Sequence, residues 1–220
     1  MEVKEIFPSI FKVNAKLATI NLVKDQKVYD EELISHGGVQ YRTWNPYRSK
    51  LAAAILNGLK TMEIKPKSSV LYLGAATGTT PSHVSDIIGD AGSVYCVELS
   101  ERNLRELLKV CEKRANMLPI LKDARYVNEY EAEVGKVDVM YQDVSARDQA
   151  DILLRNSAML DKHGIAYVAI KSQSISVARE PAQIYKEFLE QVSSEFEVLQ
   201  KIDIMPYDKA HMFAVLKKKH

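Results

Sequence analysis

An apolar stretch with no polar alternation breaks directly into a run of small residues: VLYLGAATGTT, Val70 to Thr80. Nothing else in the chain restricts the fold as much. Val70, Leu71 and Leu73 read as a strand buried on both faces, which requires a sheet covered by helices on both sides. Gly74 and Gly78, flanking Ala75, open backbone conformations closed to other residues and let a ligand approach without meeting a side chain. Thr79 and Thr80 follow where a helix should start, placed to cap it while its unpaired N–H groups face the ligand. Twenty residues beyond Gly78 a second apolar strand, VYCVE, ends in Glu98, where such folds hold a ribose diol. The same letters also describe a plain strand-to-helix turn with a surface glutamate, because a glycine-rich run alone is weakly specific.

The rest of the chain supplies the sheet. Residues 1 to about 43 alternate with period two, as at Phe11, Val13, Ala15 and Leu17, which predicts a small antiparallel β unit closed by the turn His36–Gly38. From Pro46 the spacing changes to helical, with Leu51, Ala52, Ile55, Leu56 and Leu59 on one face, so a helix is expected to start near Arg48. The implied division is a β domain over 1–45 and a main domain over 46–220. Beyond Lys67, predicted strands at 69–74, 94–98, 119–122, 137–142 and 165–170 alternate with helices at 80–89, 101–116, 147–160 and 182–194. That alternation means a doubly wound, mostly parallel α/β sheet. The tail FEVLQKIDIM, PYDK, HMFAVLKK reads as an antiparallel terminal hairpin.

The hairpin bears on the ligand. A nicotinamide dehydrogenase builds a second parallel half, whereas a class I methyltransferase (Rossmann-like) finishes its sheet with an antiparallel strand. GAATG also departs from G-x-G-x-x-G. S-adenosyl-L-methionine is therefore the better-supported cofactor.

Three separated motifs, YRTWNPYRSKLAAAI (Tyr41 to Ile55), GAATGTTPSHVSDI (Gly74 to Ile87) and PYDKAH (Pro206 to His211), in this order resemble the fibrillarin family over the whole chain. A glycine- and arginine-rich tail is absent, so the resemblance is to the archaeal form. It implies S-adenosylmethionine-dependent 2′-O-methylation of ribose in rRNA and tRNA within a box C/D ribonucleoprotein. The implied partners are a Nop-family scaffold protein, a kink-turn-binding protein, the guide RNA and its target RNA. Carried over by motif, cofactor contacts fall on Thr79 and Thr80, on Glu98 with Leu99, on Asp123 with Ala124, and on Asp143, Val144, Ser145 and Ala146. All lie at carboxyl ends of predicted parallel strands, where open α/β sheets bind ligands. Glu98 would accept the ribose hydroxyls and Asp123 the adenine amino group; each acid alone also reads as a helix cap or solvated loop residue.

Ribose methylation needs in-line positioning and removal of the hydroxyl proton. Lys50, Asp143, Lys171 and His211 resemble the Lys-Asp-Lys-Glu tetrad of ribose methyltransferases, with His211 in the glutamate's place. Lys171 is the candidate base; an adjacent Asp143 would favour its charged form, while desolvation and the neighbouring Lys50 push the other way. It also reads as a lysine snorkelling from a strand end, and His211 as a structural histidine. Trp44 reads as packing, while Arg42 and Arg48 beside the site are candidates for RNA phosphates.

Composition trims the alternatives. Thirty Lys and Arg face 29 Asp and Glu, too balanced for a protein that finds nucleic acid by its own electrostatics. Cys96 and Cys111 both sit in apolar patterns and read as buried thiols, no run would span a membrane, and MEVKEIFPSIF does not read as a secretory signal, so a cytoplasmic protein is expected. His36, His83 and His163 show no metal-ligand spacing. A metal-dependent small-molecule O-methyltransferase is disfavoured by Val144, Ser145 and Ala146 after Asp143. A non-catalytic scaffold is disfavoured by the joint presence of Lys50, Asp143 and Lys171, and a dehydrogenase by the hairpin.

Overall fold

The computed structural model describes residues 1–220. Its first part is an antiparallel sheet of β1 (Val3–Phe7), β2 (Ile10–Val13), β3 (Lys16–Ile20), β4 (Leu33–His36) and β5 (Val39–Thr43), in the order β1-β2-β3-β5-β4. Gly37 and Gly38, both with positive φ, make the tight turn from β4 to β5. The His36–Gly38 turn is thus internal to the unit, and β5 closes it.

The main part follows as α1 (Lys50–Leu56), β6 (Ser69–Leu73), α2 (Thr79–Ile88), β7 (Ser93–Glu98), α3 (Glu101–Cys111), β8 (Met117–Leu121), α4 (Glu131–Val134), β9 (Val137–Gln142), α5 (Gln149–Asn156), β10 (Leu160–Lys171), α6 (Ser172–Ile175), α7 (Pro181–Val192), β11 (Phe196–Asp203) and β12 (His211–Lys218). The strands lie in the order β11-β12-β10-β9-β6-β7-β8; the last five are parallel, and β12 runs antiparallel to both its neighbours. Period two divides every central strand between two cores. Val70, Tyr72, Val139, Tyr141 and Tyr167 face α1, α2 and Leu107 of α3, while Leu71, Leu73, Met140, Val168 and Ile170 face α5 and α7. α3 stops at Cys111, earlier than the predicted 116, and Cys111 is only partly buried. Burial pushes both thiols up, Cys96 well above the ordinary cysteine value and Cys111 to about 11. No helix is long and apolar enough to cross a membrane.

The two sheets share one interior. Ile10, Leu17 and Trp44 belong to the same core as α1 and α2, and the Trp44 ring stacks on His83 of α2 at 4.8 Å. Beside that stack lies a buried ionic network. Arg42, 0% exposed, pairs with Glu31 at 2.8 Å and Asp86 at 2.8 Å, and Arg114 reaches the other oxygen of Asp86 at 2.6 Å. Arg42 therefore lies inside the fold and cannot meet an RNA phosphate, contrary to the expectation drawn from its neighbours in sequence. His83 completes the network through the hydroxyls of Thr19 (2.8 Å) and Tyr29 (2.7 Å). Burial, with Arg42 and Arg114 adding to it, holds the imidazole well below the ordinary histidine value. Burial works against the Glu31 carboxylate, but the Val28 and Tyr29 amides and Arg42 overcome it and hold Glu31 below the usual value.

Candidate active site

Three strand ends and one helix start meet over the sheet. Asp143 follows β9, Lys171 ends β10, His211 opens β12 as the ladder partner of Lys171, and Lys50 is the first residue of α1. Ser49 caps α1 by accepting from the Ala52 amide, and the flush alanines Ala52 to Ala54 let the helix press onto the sheet. Lys50 is thereby aimed at Asp143, its Nζ 3.1 Å from Oδ1. Lys171 Nζ stands 2.8 Å from the same oxygen and donates to the Asp143 carbonyl at 2.7 Å and to Ser145 Oγ at 3.0 Å. One carboxylate thus faces two ammonium groups, and Lys171 makes two hydrogen bonds beside its ion pair with Asp143. Those contacts fix the position of the Lys171 amine at the strand end. His211 Nδ1 lies 2.6 Å from Asp208 Oδ1, whose second oxygen is 3.8 Å from Lys50. Next to Asp143, the rings of Tyr72 and Tyr141 stack at 4.5 Å. Burial, with the charge of Asp143 adding to it, raises both phenols well above the ordinary value and keeps them neutral.

Beyond the carboxyl ends of β6 to β9 opens a cleft of about 350 Å³, lined by Gly74, Ala76, Glu98, Leu99, Asp123, Ala124, Asp143, Val144, Ser145, Ala146 and Lys171 among others. Gly74 has φ +84°, and a Cβ there would stand 2.8 Å from the Asp143 carbonyl oxygen, so the loop closes on β9 only with glycine. Glu98 is oriented by the main chain: Oε2 accepts from the Ala76 amide and Oε1 from the Ser100 amide, both at 2.8 Å. Asp123 accepts from the Arg125 amide at 2.9 Å and its guanidinium at 3.0 Å, and Arg125 also bridges to Asp148. Those bonds to Asp148 and Asp123 raise Arg125 above its ordinary value, and Arg125 holds Asp148 below the usual carboxylate range.

Other expected contacts fall elsewhere. α2 is capped by Gly78 at φ +89° with no side-chain cap bond, which corrects the expected capping by Thr79 and Thr80. Ala75 and Thr80 are buried; Thr80 donates to Ser49 Oγ at 3.0 Å and so braces the cap of α1 that carries Lys50. Thr79 lines a second groove, about 490 Å³, between the N-terminal unit and α3, with Lys27, Tyr29, Arg48, Lys109 and Lys113 also on its walls. Arg48 is exposed there, paired with Asp30 at 2.9 Å and poised 5.2 Å over the Tyr29 ring. Sequence reasoning missed Asp208, Ser49 and Arg125. Only Asp208 left a signal, as the acid three residues before His211 in PYDKAH.

The family profile described as Fibrillarin matches residues 1–220. A fibrillarin-like rRNA/tRNA 2′-O-methyltransferase of Pyrococcus furiosus is 49% identical, over 98% of this chain and 97% of its own. Aeropyrum pernix fibrillarin, solved with natively bound S-adenosyl-L-methionine, superposes with a TM-score of 0.90 at 39% identity, covering 98% of each chain. A chain from a fibrillarin/Nop5p complex superposes at 0.89 with 34% identity, covering 98% of this chain and all (100%) of that one.

Proposed function

The chain belongs to the fibrillarin family, and on that premise we propose that it is an S-adenosylmethionine-dependent rRNA and tRNA ribose 2′-O-methyltransferase, directed by a guide RNA as the catalytic subunit of a box C/D ribonucleoprotein. The observation that carries the reading is the Lys50–Asp143–Lys171 cluster set at the rim of the cleft, with His211 beside it. The residues of the cleft fit the cofactor: an open glycine approach at Gly74, main-chain-oriented Glu98 for ribose hydroxyls, Asp123 for the adenine amino group, and the Asp143 carboxylate for a cationic sulfonium. Leu99, Ala124 and the loop Val144, Ser145 and Ala146 supply the cleft's remaining walls. Bound there, S-adenosylmethionine supplies an activated methyl group.

The chain's own groups then have two tasks, orienting the ribose and handling its proton. Lys50 and Lys171, fixed on Asp143, are donors for the ribose and its flanking phosphate. Arg48, with Lys27, Lys109 and Lys113, lines the groove that we assign to RNA phosphates. A relative's complex with Nop5p supports a Nop-family scaffold, and the kink-turn-binding protein and guide RNA complete the proposed particle. The test is transfer of a labelled methyl from S-adenosylmethionine to a guide-paired RNA in the reconstituted particle, followed by nucleoside analysis. Label on a ribose 2′-oxygen supports the assignment; label on a base, or none, rejects it.

A further inference from the structure

We infer that Asp208 is a positioning residue for this reaction: its carboxylate orients His211 so that Nε2 presents a lone pair to the ribose 2′-hydroxyl. The inference rests on the reading of the site as a ribose methyltransferase.

The geometry around His211 is specific. Nδ1 faces two acceptors, Asp208 Oδ1 at 2.6 Å and the Lys209 carbonyl at 2.9 Å. A carbonyl oxygen only accepts, so in the neutral ring Nδ1 carries the proton and Nε2 is left as the acceptor. The turn that brings the two side chains together is pinned. The Asp208 amide donates to Ile204 at 3.2 Å, and Ala210 takes a left-handed φ of +60° while its carbonyl accepts the Ser172 hydroxyl at 2.8 Å. A residue with a Cβ keeps that conformation only where its surroundings hold it, and such positions cluster at functional sites. The ladder does the rest: His211 pairs with Lys171, so one register sets the imidazole beside the Lys171–Asp143 pair. The charged groups around the ring come from four segments besides its own strand: Asp208 from the turn, Lys50 from α1, Lys171 from the end of β10 and Asp143 from just past β9. They balance two against two.

The division of labour follows from hydrogen bonding. Lys171 is held on Asp143 and Ser145 by two hydrogen bonds and an ion pair, whereas His211 keeps Nε2 unbonded on a ring fixed by a carboxylate, the arrangement general bases use when a third group orients them. In the step, the hydroxyl proton passes to Nε2 and the oxygen's electron pair forms the bond to the methyl carbon. The pair of the breaking C–S bond stays on sulfur, leaving a neutral thioether, and the imidazolium returns its proton to solvent.

The test compares reconstituted particles carrying the wild-type chain, Asp208→Asn, Asp208→Glu, His211→Ala and the Asp208→Asn/His211→Ala pair. Asp208→Asn should slow single-turnover transfer at saturating S-adenosylmethionine by about 100-fold while cofactor affinity stays the same, and Asp208→Glu should recover part of the loss. On the His211→Ala background, Asp208→Asn should add nothing, because the two act as one unit. Nitrogen-15 spectra of the full-length protein should put the wild-type His211 proton on Nδ1 and show that preference weakened in Asp208→Asn, in which only the Lys209 carbonyl still accepts from Nδ1. A near-wild-type rate for Asp208→Asn, additive losses in the double variant, or an unaltered tautomer would each overturn the role of Asp208. If the wild-type particle transfers no methyl, the functional reading falls, while the tautomer measurement still decides whether Asp208 orients His211.

Discussion

Glu98 closes an apolar strand twenty residues after Gly78 and stands on the wall of the cleft. Because the Ala76 and Ser100 amides already hold it, removing it costs the ligand a charged acceptor that needs no rearrangement. Glu98→Ala should weaken S-adenosylmethionine binding by about 2 kcal/mol in a calorimetric titration of the folded protein, and unchanged affinity would reject the assignment. Its place was legible because the pattern is local, an apolar run with an acid at its end. Arg42 shows the opposite case. Its partners Glu31 and Asp86 are remote in sequence and nothing local marks them, so an arginine near the site read as a phosphate contact and proved to be an interior charge. Asp208 left only the trace of an acid in PYDKAH, since its meaning depends on the turn that faces it toward His211.

Elements were more legible than side chains. Period two and unbroken apolar runs are written into the chain, so the five parallel strands and the terminal hairpin were all readable. Boundaries were less so. β10 begins at Leu160, ahead of the predicted 165: Lys162 and His163 carry no strand pattern, and the pairing of Leu160 with Val137 of β9 extends the element before the ladders with β9 and β12 start at Ile165. The groove between α3 and the N-terminal unit could not be foreseen, because nothing local in sequence ties Lys109 of α3 or Lys113 just past its end to Lys27, Tyr29 and Arg48 across it. If that groove takes RNA phosphates, Lys109→Ala and Lys113→Ala should weaken substrate binding to the assembled particle for every sequence alike. Each should also lower the slope of log affinity against log salt by about 1. Unchanged slopes would place the RNA elsewhere.

At the scale of the whole molecule, the division at 45/46 separates two sheets but not two interiors. We propose that they unfold together, since the network of Arg42, Glu31, Asp86 and Arg114 and the Trp44–His83 stack cross the division. Arg42→Ala should cost about 3–5 kcal/mol in urea unfolding, by leaving buried carboxylates unpaired, and should leave a single transition. The pH dependence has a definite sign. His83 is held neutral in the fold below its ordinary 6.5, so below that pH the unfolded chain binds a proton that the folded one does not. Stability should therefore fall as pH drops from 7 to 5.5, by up to about 1.4 kcal/mol per unit for this one group. A flat profile would contradict a buried neutral His83.

With 30 basic residues against 29 acidic, the chain lacks the charge surplus that lets a protein choose an RNA sequence unaided. On this account it contributes the site, and base pairing with the guide contributes the address. The most direct test of that claim is to shift the guide's pairing by one nucleotide in the reconstituted particle and map the methylated ribose. The account predicts that the 2′-O-methyl group moves by one nucleotide with the guide, and that the protein alone methylates free RNA little. A methyl group that stays on the same ribose whatever the guide, or that the isolated protein places efficiently, would contradict it.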